Sequence, residues 1–183
     1  MFKGILADIK DDDRYRHGIR FRAKGRRKQS SISNHIAELE ANLNQLSARR
    51  GISEYEYWAL MLLIHTHDTM KMHAVPHAKI RDRFSHSSLA RDFASDYCRD
   101  EDLLQMIQQH EVPFSIYRKE RKGEDVSEKL DELFGSVRNW RLFLMFIIID
   151  NCISGSSRRP VYWIIEQANK RFATGIDEDW VID

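Results

Sequence analysis

Two aspartates and four histidines of this chain stand where the surrounding pattern calls for apolar residues. His35 precedes Leu39 by four and Leu43 by eight. Asp68 follows Ile64 by four and Met61 by seven, and His67 follows Leu63 by four. His86 leads Leu89 and Phe93 by three and seven, and His110 trails Ile107 and Leu103 by the same steps. Asp150 closes the run FLMFIIID, four after Phe146. Side chains three, four and seven apart share a helix face, so all six point inward if these segments are helical. A lone histidine on such a face is usually a hydrogen-bonded core residue. Two carboxylates are another matter, because an isolated charge in a dry interior is costly unless something opposite in sign accompanies it. Mixed imidazole and carboxylate ligands suit a divalent transition metal such as Mn, Fe, Co, Ni or Zn. One or two such ions would neutralise the carboxylates and keep the imidazoles in their unprotonated, ligating form.

The elements that must hold these residues are helices. Ile32, Ile36, Leu39, Leu43 and Leu46 make one apolar stripe, which Gly51 ends. Ser53 and Glu56 form a capping box that opens a second helix through Tyr57, Leu60, Met61 and Ile64. An irregular stretch with Pro76 follows Lys71, and a helix starts near His86 or Ser88 and runs through Leu89, Phe93 and Tyr97. The next helix spans roughly 100–111 and stops before Pro113. Residues 118–129 are a charged connector, one long helix carries Leu130 to Asp150, and a last helix covers 161–172.

Residues 1–30 read differently, as a basic N-terminal arm. Asp11 to Asp13 are followed by Arg14, Arg16, Arg20, Arg22, Lys24, Arg26, Arg27 and Lys28. The alternation from His17 to Ala23 suggests a short strand or strand pair. The expectation is therefore an all-α fold: one compact domain, with an arm at 1–30 and a helical bundle at 31–183.

Composition narrows the rest. At 42% hydrophobic and 31% charged, the 183 residues read as a soluble globular chain rather than a disordered one. With 29 basic against 28 acidic residues there is no global field to attract nucleic acid. Cys98 and Cys152 are too few for a disulfide framework. The longest apolar run, Leu142 to Ile149, is well short of a bilayer span, and MFKGILADIKDDD lacks the apolar region of an export signal. A cytoplasmic protein with no membrane partner is expected.

The segment LLIHTHDTMK, with its adjacent His67-Asp68 pair, resembles the signature of the HD-domain superfamily of metal-dependent phosphohydrolases. That superfamily follows the order His, His-Asp, distant Asp on the helices of one bundle, met here by His35, His67-Asp68 and Asp150. Its two-metal members add two histidines before the final aspartate, where His86 and His110 stand. The resemblance covers roughly residues 30–155. It reaches no named subfamily: no Gly-Tyr-Pro follows the third histidine, no Gly-His follows Asp68, and Met70 stands where a glycine is usual. It implies that Asp68 bridges two ions, with His35, His67 and Asp150 on one and His86 and His110 on the other. Asp68 and Lys71 would be the catalytic residues. Lys71 would also bind substrate phosphate, with Arg20 reaching it from upstream; His73 and His77, in the irregular segment beside the expected site, either touch substrate or are polar loop residues. Glu111 reads as a partner or proton donor beside His110, or as a surface glutamate at a helix end.

The expected activity is hydrolysis of a phosphomonoester or phosphodiester, on a nucleotide or small phosphorylated metabolite, through a metal-activated water. Two other readings remain open here. The same ligands serve di-iron oxygenases of the same fold, and a non-catalytic module could bind nucleic acid through residues 14–28.

Overall fold

Ser31, Ser53, Ser85 and Asp100 each turn a side-chain oxygen onto a backbone N–H two or three residues ahead, and each opens a helix. The structure, a computed structural model, describes residues 2–22 and 31–182. Among them are ten α-helices: α1 (Phe2–Asp11), α2 (Asp13–Gly18), α3 (Ile32–Arg49), α4 (Glu54–Thr66), α5 (His86–Ser95), α6 (Glu101–Gln109), α7 (Val112–Glu120), α8 (Ser127–Ser136), α9 (Trp140–Asn151) and α10 (Arg159–Asn169). Short 3₁₀ turns cover Lys71–His73 and Glu178–Trp180. The fold is an all-α bundle in one domain. No helix is long and apolar enough to cross a membrane, among the described residues.

Two helices form its axis. Every residue from Ala59 to Thr66 of α4 is buried, as is every residue from Leu142 to Ile149 of α9. Helices apolar all round belong at the centre, where neighbours cover every face. Accordingly α4 packs against α1, α3, α5, α6 and α9, and α9 packs against α3, α4 and α10. The α3 stripe from Ile32 to Leu46 is buried as its spacing implies.

The N-terminal arm is where the sequence reading needs correction. Residues 2–18 form helices rather than an arm or strand, and Phe2, Leu6, Ile9 and Tyr15 enter the core. In place of a strand pair there is, among the described residues, a single antiparallel bridge, Arg22 to Ser31. The apolar spacing Phe2, Leu6, Ile9 is helical, and the charges around it mask that period. Arg14 and Arg16 are occupied locally, Arg14 with Asp12 (2.7 Å) and Asp96 (2.8 Å), Arg16 with Asp11 (2.8 Å). Arg20 and Arg22 are exposed, and Lys24, Arg26, Arg27 and Lys28 lie outside the described residues.

Two helix boundaries also differ. Pro113 sits in the first turn of α7, where its missing N–H costs nothing, so it starts a helix instead of ending the chain's helicity there. The expected single helix over 130–150 is two. At the break, Asp102 of α6 accepts hydrogen bonds from the backbone N–H groups of Arg138 (2.7 Å) and Asn139 (2.9 Å), and Asn139 caps α9. Those contacts satisfy donors that an uninterrupted helix would have paired internally.

Glu56 ties the two axial helices together. Its carboxylate completes the α4 capping box with Ser53 (2.9 Å to the backbone N) and accepts from Arg141 Nε of α9 (2.8 Å). Burial alone would raise its pKa, but the Ser53 N–H and the Arg141 guanidinium outweigh it and bring it below the ordinary value.

Two outcomes follow from this architecture. Replacing fully buried Ile9 with Ala should cost about 2–5 kcal/mol in urea unfolding, the range for deleting core methylenes; an arm lying on solvent would leave the midpoint unmoved. Glu56→Ala should cost about 1–2 kcal/mol at pH 7. A carboxyl with a lowered folded pKa contributes above its unfolded value and loses that contribution as pH falls through the folded one. The gap between variant and wild-type unfolding midpoints should therefore narrow between pH 5 and pH 3.

Candidate metal centre

His35, His67, Asp68, His86, His110 and Asp150 come from five different helices or helix ends and meet at one spot. His35 lies in the first turns of α3, one residue before buried Ile36. His67 is the C-cap of α4 and Asp68 the next residue, so the pair marks where the axial helix stops. His86 begins α5 behind the Ser85 cap, His110 caps the end of α6, and Asp150 is the penultimate residue of α9.

Backbone contacts fix these ends. The turn after Asp68 is held by Thr69 Oγ1, which donates to the His65 carbonyl at 2.5 Å. Gly18 packs on the same turn, where a Cβ would stand 2.2 Å from the Thr69 carbonyl oxygen, so α2 can approach only through a glycine. Asn42 Nδ2 of α3 donates to the carbonyls of Ile149 (2.9 Å) and Cys152 (3.2 Å), clamping the end of α9. Asn151 Nδ2 reaches Asp150 Oδ2 at 3.1 Å, leaving Oδ1 turned to the histidines.

The six side chains form two groups whose ligand atoms lie within 4.8 Å of one another and which can each hold a metal ion: His35, His67 and Asp150, and Asp68, His86 and His110. In the first, His35 Nε2 and His67 Nε2 stand 3.2 and 3.5 Å from Asp150 Oδ1. In the second, His86 Nε2 is 3.7 Å from Asp68 Oδ1 and 3.4 Å from His110 Nε2. The groups adjoin, with Asp68 Oδ2 3.9 Å from His67 Nε2 and the His67 and His110 ring centres 5.2 Å apart.

Protonation of two of these rings can be read from their partners. His67 Nδ1 faces the carbonyls of Leu63 and Ile64, both at 3.1 Å, and His110 Nδ1 faces that of Ile107 at 2.7 Å. A carbonyl only accepts, so each Nδ1 carries the hydrogen and, in the neutral ring, each Nε2 presents a lone pair. Buried His67 Nε2 has no hydrogen-bond partner. Its lone pair instead faces the Asp150 carboxylate, an arrangement that requires a cation or proton between them. The donor set thus fits a divalent ion.

Electrostatics point the same way. Burial alone would raise the Asp68 pKa; the Lys71 ammonium and the His67, His110 and His86 rings outweigh it and hold the carboxyl well below the usual range. Burial likewise opposes ionisation of Asp150, and His35 and His67 overcome it. Desolvation also disfavours charge on His67, but the Asp68 and Asp150 carboxylates raise its pKa. Burial, with the neighbouring His67 ring adding to it, pushes His110 down to about 4. Two fixed anions thus compel their surroundings to supply positive charge.

Above the ligands lies a cavity of about 320 Å³ whose wall includes Lys71, Glu111, Phe114, Arg118 and Asn151. Lys71 Nζ contacts both Asp68 oxygens, at 3.1 and 2.9 Å. Glu111 Oε1 stands 3.5 Å from His86 Nε2, so this residue belongs to the site and not merely to a helix surface. Arg118, placed by sequence in a charged connector, is the cation that reading overlooked. Its signal was the spacing of Glu111, Phe114 and Arg118, one face of a helix that Pro113 hid.

Three expected substrate contacts are not brought to this cavity. Arg20 is exposed and absent from the wall. His73 lines a separate hollow with Arg14, Met70 and Phe93, and exposed His77 occupies a left-handed turn (φ 63°) after Pro76. His65 points away from His67, as its two-residue offset implies, and is buried between the Tyr15 hydroxyl (2.6 Å) and Glu40 (2.9 Å). Comparison with protein-family models, curated proteins and solved structures returns no match.

Chelator-stripped protein should therefore gain thermal stability on adding a divalent transition ion. The gain is about 4 kcal/mol once the ion exceeds its Kd a thousandfold. Asp68→Ala and Asp150→Ala should each lose most of it in differential scanning fluorimetry. A wild-type midpoint indifferent to all such ions would refute a cation site.

Proposed function

We propose that this chain is a metal-dependent phosphohydrolase acting on a nucleotide or small phosphorylated metabolite. The observation that carries the reading is the pairing of a two-group imidazole–carboxylate cluster with two cations, Lys71 and Arg118, on the wall of the cavity above it. The order of the ligands along the chain, similar to that of the HD-domain superfamily, supports it. So does the cavity, large enough for a phosphate and part of what it is esterified to.

His35, His67 and Asp150 would hold one ion, and Asp68, His86 and His110 the other, with Asp68 close enough to His67 to serve both. This ligand chemistry accepts Mn, Fe, Co, Ni or Zn. When bound, such ions supply a water acidified to near neutrality and positive charge against phosphate oxygens. The remaining work belongs to side chains. Hydrogen bonds from Nδ1 to backbone carbonyls keep His67 and His110 in the tautomer that offers Nε2. Lys71 neutralises Asp68 at rest and lies within the wall that a phosphate would meet. Arg118 has no ion pair among the described residues, so its planar fork is available for two phosphate oxygens. Lys71 and Arg118 thereby oppose the charge that grows on the phosphoryl group as the ester bond breaks. Glu111 approaches His86 at Nε2, the same ring nitrogen that faces Asp68 and His110. Cys98 and Cys152 are both buried in the bundle, and a cytoplasmic setting belongs to the same reading.

A phosphatase and phosphodiesterase panel with added Mn, Co, Ni or Zn tests this reading. Wild type should release phosphate, chelation should abolish release, Asp68→Ala should be inactive, and Lys71→Ala should lose about 100-fold or more in kcat. Iron-dependent oxygen consumption without phosphate release would overturn it in favour of the oxygenase chemistry. Chelator-insensitive, salt-sensitive binding of RNA or DNA as the sole activity would overturn it in favour of a nucleic-acid module.

A further inference from the structure

A second, larger depression of about 600 Å³ adjoins the metal cavity and shares Glu111 and Arg118 with it. Helix α7 is the partition. Its Phe114 and Arg118, with Glu111 at its N-cap, line the metal cavity, while Val112, Ser115, Ile116 and Lys119 line the neighbouring groove. The far walls are the loop at 78–81, with Lys79 and Arg81, and the start of α8, with Lys129 and Glu132.

The charges there are unevenly spent. Arg81 is paired with Glu132. Lys79, Lys119 and Lys129 enter no ion pair among the described residues, and neither does Arg118 at the shared rim. Five cations (Lys79, Arg81, Arg118, Lys119, Lys129) line the groove against two carboxylates, Glu111 and Glu132, with Asp125 also near Lys129, and that surplus of positive charge favours an anion as occupant. Beneath them Ile80, Val112 and buried Ile116 give an apolar floor, which suits a flat, weakly polar group more than a bare ion.

We propose that this groove is a subsite for a second phosphate, so that the substrate carries two phosphates separated by a nucleoside-sized spacer. This deepens the phosphohydrolase reading and rests on it for which phosphate is cleaved. One phosphate enters the metal cavity beneath Lys71, Arg118 spans the boundary, and the spacer crosses the Val112–Ile116 face of α7. The other phosphate meets Lys79, Lys119 and Lys129. A nucleoside 3′,5′-bisphosphate and a 5′-phosphorylated dinucleotide share this chemistry.

Equilibrium binding to chelator-stripped protein tests the subsite without turnover. AMP, adenosine 3′,5′-bisphosphate and the dinucleotide pApA are titrated calorimetrically into wild type and a Lys119→Ala/Lys129→Ala double variant, whose thermal midpoint is checked against wild type. At least one two-phosphate ligand should bind wild type about 10-fold or more tighter than AMP, with the tighter of the two identifying the source. The double variant should lose that advantage, keep its AMP affinity, and show a shallower dependence on salt. Equal affinity for all three ligands in wild type, or an advantage that survives in the variant, overturns the proposal. Phosphate release from the same ligands with added metal separates the two readings. Two-phosphate selectivity in binding with no hydrolysis of any ligand sinks the phosphohydrolase and leaves the groove; hydrolysis of AMP and the bisphosphate with equal kcat/KM sinks the groove and leaves the phosphohydrolase.

Discussion

Asp68 and Asp150 sit where the two most apolar helices of the molecule end, and a buried negative charge must be matched or it is expelled. That requirement organises everything near them. Lys71 folds back within three residues to cover Asp68, His35 and His67 converge on Asp150, and His86 and His110 close the far side. The histidines cannot neutralise these carboxylates while themselves neutral, since His67 Nε2 is then an acceptor facing the Asp150 carboxylate. A cluster in which acceptors outnumber hydrogens is built for a cation, and its buried position makes the demand stronger, because little solvent screens the repulsion.

Holding such a cluster open requires rigid surroundings, and the bundle provides them by anchoring backbone instead of the ligands' own charges. Asn42 clamps the end of α9, Thr69 closes the turn after α4, and Gly18 lets α2 press on that turn. Glu56 fixes the other end of α4 to α9. The two axial helices are thus tied at both ends, and the ligand geometry is inherited from their packing. The N-terminal residues belong to this framework too: α1 seals α4 with Phe2, Leu6 and Ile9, and Tyr15 of α2 hydrogen-bonds His65. A segment that reads as a charged arm is part of the wall behind the site.

Helix α7 gives the site its direction. It opens immediately after His110, so the cap of one helix becomes the threshold of the next, and its two faces serve two depressions. Arg118 stands at its far end with no acid partner among the described residues, in contrast to Arg14 and Arg16, which are held by neighbouring aspartates. The contrast matters for any anionic ligand, because an arginine already bridged to carboxylates has little left to offer a phosphate.

Much of the site was legible from order along the chain. Helical spacing alone directs His35, His67, Asp68, His86, His110 and Asp150 inward, because side chains three, four and seven apart share a face whatever the rest of the fold does. The capping box at Ser53 and the stripe through α3 are equally local, and so equally readable. What the chain could not disclose is non-local: that these particular helix ends meet, that Pro113 starts a helix, that Asp102 breaks the long helix before Trp140, and that Arg118 rather than Arg20 faces the cavity. Periodicity reports which side of a helix is inward; only packing decides what it is inward of, and which charges are already paired when it gets there.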